Sequence, residues 1–179
     1  MSALDLTTFD GPLTAVAINE WLNKCEMRFK VYNEDNPGRK LSQIQLVDRA
    51  GLKIKDEGVT HDLSDWFANT GDFKSWNDFK ARLKDQALGA HWLAHAVEAL
   101  FTAKQEERTI DAYIRDLEEN RSILKHSDQA TNLQISDHVY KYLMLFNARS
   151  SVTADIMDSG LDIVKASVID IRESIRKAS

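Results

Sequence analysis

Apolar residues recur at steps of three and four along most of this chain, and the glycines and turn residues between them cut the pattern into helical segments. The first segment, from about Thr14 to Tyr32, turns Ile18, Trp21, Leu22, Cys25, Phe29 and Tyr32 inward and Asn19, Glu20, Lys24, Glu26 and Lys30 outward. Before it, Phe9-Asp10-Gly11-Pro12 is a turn from which Phe9 can dock back on the helices. Asn33 to Lys40, with Pro37-Gly38, is a loop. A second helix is expected from Leu41 to Lys55, stepping through Ile44, Val47, Ala50/Gly51 and Ile54. Gly51 inside it costs about 1 kcal/mol relative to alanine unless a neighbouring helix needs the close approach, and such a close approach is expected here. His61 to Asn69 forms a short helix with Leu63, Trp66 and Phe67 on its apolar side. Phe73, Trp76, Phe79/Lys80, Leu83 and Ala87 mark a fourth, with Ser75 and Asp78 as its capping pair and Gly89 as its stop.

The second half repeats the plan. Trp92, Ala96, Leu100 and Ala103 form one stripe, and Thr109 is a good N-cap for Ile110, Tyr113, Ile114 and Leu117. After the polar stretch Lys125 to Asn132, Ser136 caps a helix that Ile135 can staple. In it Val139, Tyr140, Leu143 and Phe146 are expected to face the core, leaving Tyr142 and Met144 nearer the surface. Val152, Ile156 and Met157 belong to a short helix ended by Gly160, and Leu161, Val164, Val168, Ile171 and Ile175 to a final one. With only two prolines and no alternating β-branched run, the expected fold is all-α, in two small helical lobes joined near Gly89-Ala90.

Composition narrows the function. The chain is 43% hydrophobic and 28% charged, which places it with globular proteins and not with disordered ones. Its net charge of −5 is spread over interleaved acids and bases, so it has no basic face for neutralising phosphates. No basic leader precedes an apolar run and no stretch reaches the roughly eighteen apolar residues of a membrane span, so a cytoplasmic protein without a membrane partner is expected. The single cysteine, Cys25, cannot form an internal disulfide and reads as a small core hydrophobe.

Catalytic constellations are missing. His91-Trp92-Leu93-Ala94-His95 spaces two histidines one turn apart, but Trp92 stands where a zinc protease has glutamate, and no third ligand follows. His61, His126 and His138 sit near expected helix ends, facing water. Glu106-Glu107 and Glu118-Glu119 lie on solvated surfaces with no apolar pocket to raise a carboxylate pKa. No glycine-rich phosphate loop is present. The expectation is a non-enzyme without metal or cofactor.

Several of these residues, taken together and in order, carry a resemblance. Phe9-Asp10-Gly11, then Trp21-Leu22, Glu26 and Phe29, resembles the opening of the Gag capsid domain of gypsy-type LTR retrotransposons (Metaviridae). Ala50-Gly51-Leu52, Asp65-Trp66-Phe67 and Ser75-Trp76-Asn77-Asp78-Phe79-Lys80 continue the similarity in register. Gln105, Thr109, Tyr113 and Leu117 fall where that family has the counterpart of the retroviral major homology region. Two departures stand out: Leu117 replaces the usual phenylalanine, and Phe146-Asn147-Ala148-Arg149 lacks the glycine-leucine pair common there.

The resemblance implies a capsid N-terminal lobe over 7–88, a C-terminal lobe over 90–178, and self-association into a virus-like particle shell that packages element RNA. Gln105 and Tyr113 would then hold the second lobe together, and Tyr142 and Met144 would be candidates for a two-fold contact. The competing reading of that pair is that they cover a neighbouring helix. RNA binding would fall to a region absent from this chain, since such proteins commonly carry a zinc knuckle of three cysteines and a histidine, which one cysteine cannot build. The alternative function is a domesticated capsid-fold adaptor whose first lobe takes partner peptides in a groove near Phe9, Trp66 and Trp76, although tryptophans at helical spacing also read as plain core.

Overall fold

The computed structural model of the chain describes residues 4–125 and 135–178. Among these residues all regular structure is helical, apart from one isolated bridge between Phe9 and Ile54. The chain divides into two compact units, Met1–Trp92 and Leu93–Ser179, each with its own buried cluster.

In the first unit, α1 (Ala15–Asp35) begins at Thr14, whose hydroxyl accepts from the Ala17 amide at 3.2 Å. Ile18, Trp21, Leu22 and Cys25 are buried as the periodicity requires. Asn19, expected outward, is buried too. The covered arc of α1 is wide, because the N-terminal segment, held by the Trp21 indole on the Thr7 carbonyl at 2.7 Å, flanks it along with α4 (Trp76–Leu88). The second helix, α2 (Gln43–Gly51), is shorter than expected at both ends. Its start is fixed by the reciprocal capping box of Ser42 and Gln45.

At its other end the chain leaves α2, and Ile54 lies beside Phe9 and not on the helix. The Phe9 amide donates to the Lys53 carbonyl at 2.8 Å and the Lys55 amide to the Phe9 carbonyl at 2.9 Å. Gly51 makes the packing possible: a Cβ there would lie 1.9 Å from the ring of Phe67 in α3 (His61–Asn69). The close approach read from the sequence is therefore real, and an aromatic ring takes the space. Phe67, Phe73 and Phe79 then stack and T-pack in succession, closing the core between α3 and α4. At the end of α4, Gly89 adopts φ +88°, and the Trp92 indole returns to donate to Asp85 at 3.1 Å.

The second unit contains α5 (Trp92–Thr102), whose first residue closes the first unit, then α6 (Ile110–Lys125), α7 (Asp137–Phe146), α8 (Ser150–Asp158) and α9 (Val168–Lys177). Residues 126–132 of the expected polar stretch, with His126, lie outside the described residues. The last helix starts later than its apolar spacing predicts. Leu161 to Ala166 is a turn, and Ser167 opens α9 through a capping box with Asp170. Ile171 and Ile175 are buried on the side facing α7, α6 and α8, while Arg172 and Arg176 pair with Glu118 and Asp111 of α6.

Candidate functional site

Gln105, Thr109, Tyr113 and Leu117 lie at or near one helix end and help to fasten it. Gln105 is 2% exposed; its amide donates to the Asn147 carbonyl and its side-chain oxygen accepts from the Arg149 amide, both at 2.9 Å. Thr109 caps α6 through the Ala112 amide at 3.3 Å. One turn on, Tyr113 is fully buried and its hydroxyl donates to the Met144 carbonyl at 2.9 Å. Burial holds its phenol well above the ordinary range. Leu117, one turn further along α6, is fully buried in the same core cluster. Thr153 adds a hydroxyl bond to the Leu145 carbonyl at 2.8 Å. The last carbonyls of a helix have no partners within it, and here side chains from α6 and α8 supply them. These contacts set the C-terminal end of α7 rigidly.

The inner face of α7 differs from the sequence expectation by one residue. Tyr140, Lys141, Met144 and Leu145 are buried, whereas Val139 is 41% and Phe146 58% exposed. Met144, expected at the surface, is a core residue and is removed from any open contact. The stretch from Val139 to Phe146 is apolar at almost every position except Lys141, so periodicity alone cannot select its face. Lys141 decides the matter in an unexpected direction: its ammonium is buried and donates to the carbonyls of Ile163, Val164 and Ala166 at 3.1, 3.1 and 2.6 Å, closing the turn before α9. Beside it the Arg121 guanidinium lies 4.1 Å over the Tyr140 ring, and burial pushes the Tyr140 phenol up to about 12.

With that face engaged, the opposite side of α7 carries an aromatic row. Tyr142 is half-buried; its ring stacks on Phe146 at 5.8 Å and 6°, and His138 meets it edge-on at 5.0 Å. The three are spaced at i, i+4 and i+8, which places them on one line along the helix. The apolar spacing leaves Tyr142 nearer the surface but assigns Phe146 to the core, whereas Phe146 is 58% exposed beside it.

Other candidates resolve differently. A cavity of about 490 Å³ lies between the starts of α6 and α8, lined by Gln105, Thr109, Arg108 and Arg149 among others. Its two arginines are already used, Arg108 on Asp116 and Arg149 on the Glu106 carbonyl. In the first unit the trio Phe9, Trp66 and Trp76 does not form one open groove. Phe9 is buried against Trp21 at 5.1 Å between centroids, and Trp76 is buried with its indole donating to Glu26 at 2.6 Å, alongside Lys80 at 2.7 Å. Only Trp66 is half-exposed, packed edge-on against Phe73. The Cys25 thiol, buried and beside Glu26, is pushed up to about 12, which removes it as a nucleophile at neutral pH.

His91 and His95 are exposed. His61 is exposed as expected but not free: Asp56 accepts from its Nδ1 at 2.9 Å, and Asp65 lies 3.7 Å from its Nε2. These three side chains bring ligand-type atoms within 4.8 Å of one another on the surface. No described helix is long and apolar enough to cross a membrane. No protein-family model, curated protein or solved structure matches this chain.

Proposed function

We propose that this protein is a capsid-type structural protein, which self-associates through many weak contacts into a shell around retrotransposon-type RNA. The observation that carries the reading is α7: a helix clamped at its C-terminal end by Tyr113 and Thr153 and along its inner face by core contacts, with His138, Tyr142 and Phe146 left in a row on the other side. A row of aromatic side chains on a rigid helix suits a two-fold contact, because each ring of one copy can meet its counterpart without further ordering cost. Two separately cored helical units suit shell building as well, since small repeated contacts multiply in avidity when made together, by about 10²–10⁴. The motif order from Phe9 to Leu117 supports the same reading. The acidic balance of the chain gives RNA contact to a separate basic region. In this reading no residue is catalytic.

The test is light scattering across protein concentration and salt, with negative-stain microscopy of the most concentrated sample. Growth from monomer to dimer and larger bodies is expected. It should strengthen with salt, because repulsion between subunits of net charge −5 is screened within about 10 Å at 0.1 M. Tyr142→Ala with Phe146→Asp changes only side chains outside the core and should weaken the dimer by about tenfold or more with the melting curve held. A wild type that stays monomeric at every concentration and salt would end the proposal, and a double variant that dimerises as well as wild type would take α7 out of it.

A further inference from the structure

Independently of shell assembly, the first unit carries an exposed strip on α1. Met27 is 69% and Val31 52% exposed, one turn apart on the same line of the helix. Lys24 and Arg28, also one turn apart, run beside them as a second line. The four residues, with Thr7 of the N-terminal segment, line an open groove of about 490 Å³. Scattered exposed apolar side chains are ordinary. This pair differs because it lies in a groove and because both neighbouring cations are unengaged: neither Lys24 nor Arg28 has an ion pair or hydrogen bond among the described residues, whereas Lys30 on the same helix pairs with Glu34 and Lys80 of the facing helix with Glu26.

We infer that this groove docks an amphipathic helix of another protein, one that carries carboxylates along the edge of its apolar stripe. The chemistry follows from the two lines. Met27 and Val31 offer an apolar seam, and methionine adapts its shape to whatever apolar side chain arrives. Lys24 and Arg28 repeat at the same four-residue interval, so carboxylates spaced i, i+4 on a helix lying along α1 meet both cations while its apolar residues cover the seam. An anionic lipid surface fits less well, because two cations without an aromatic anchor hold a membrane weakly. Nucleic acid would need a broader basic face than two residues.

The probe is a fluorescein-labelled model peptide of about 14 residues, roughly 20 Å of helix, with leucines on one face and glutamates on its flanks. Its control is the same peptide with lysine flanks. Binding is read by anisotropy with the full chain carrying Tyr142→Ala and Phe146→Asp, so that contacts through α7 do not enter the signal. The glutamate peptide should bind and the lysine peptide should not. Lys24→Glu with Arg28→Glu should weaken the glutamate peptide by about tenfold or more and let the lysine peptide bind instead, and Met27→Ser should weaken both. Lys24, Met27 and Arg28 are all exposed, and a circular dichroism melt checks that the variants remain folded. Loss of fold in the charge variant would be bypassed by Met27→Ser and by the salt dependence of the wild type. Absence of binding, or binding indifferent to Lys24→Glu with Arg28→Glu, would overturn the inference. So would concentration-dependent self-association of the α7 double variant that the α1 substitutions abolish, since the occupant would then be a second copy; and so would binding to phosphatidylserine vesicles in preference to the peptide.

Discussion

Tyr113 has two physical roles in the second unit. Its ring fills the core of the second unit, and its hydroxyl satisfies a carbonyl at the end of α7. Tyr113→Phe keeps the ring and leaves that carbonyl without its donor, so a loss of about 1–2 kcal/mol is expected; Tyr113→Ala should cost about 3–5 kcal/mol. Thermal or urea melts of the two variants separate the contributions, and equal losses would mean that the hydroxyl bond does nothing. His61 allows a test by titration. Its hydrogen bond to Asp56, with the charges of Asp65 and Asp56, raises its pKa above the ordinary 6.5. A raised folded-state pKa stabilises the fold fully below about 6.5, and the contribution disappears as pH rises through the folded value. Asp56→Asn should bring the His61 titration, followed by NMR of its ring protons, down toward 6.5. An unmoved midpoint would remove Asp56 as the cause.

Among the helices, those with one clear apolar stripe were legible. The start of α1 at Thr14, the caps Ser75 and Ser136, and the breaks at Gly89 and Gly160 all follow from local chemistry. Where the sequence misled, a long-range contact had overridden a local pattern. Ile54 continues the spacing of α2 but is taken by Phe9, more than forty positions earlier in the chain, and Leu161 and Val164 continue the spacing of α9 but belong to a turn closed by Lys141. In α7 nearly every position is apolar, and only the polar clamps at its end and the buried ammonium choose its face. Gly51 tests the opposite case, a local oddity explained by a distant ring. Gly51→Ala places a methyl group on Phe67 and should cost about 1–3 kcal/mol despite the better helix propensity of alanine. In the Phe67→Leu background the same change should cost less, and a double-mutant cycle with no coupling would show that the two sites do not meet.

For the whole molecule, the sequence placed the join at Gly89-Ala90, and the division of the structure falls three residues later, after Trp92. The difference has a physical cause. Gly89 turns the chain at positive φ, but the chain is not released there: Trp92 is 7% exposed, its indole donates to Asp85, and the Lys84 ammonium lies 5.7 Å from its ring centroid. Trp92 therefore closes α4 from beyond the glycine. A fragment ending at Trp92 should fold and melt above one ending at Gly89, by roughly 4–8 °C for each 1 kcal/mol that the indole contributes to a unit of this size. Trp92→Ala in the longer fragment should reproduce the lower midpoint, which separates the ring from the three added residues. Coincident melts of the two fragments would place the mechanical join at Gly89 after all, and a longer fragment that fails to fold would mean that the first core depends on the rest of the chain.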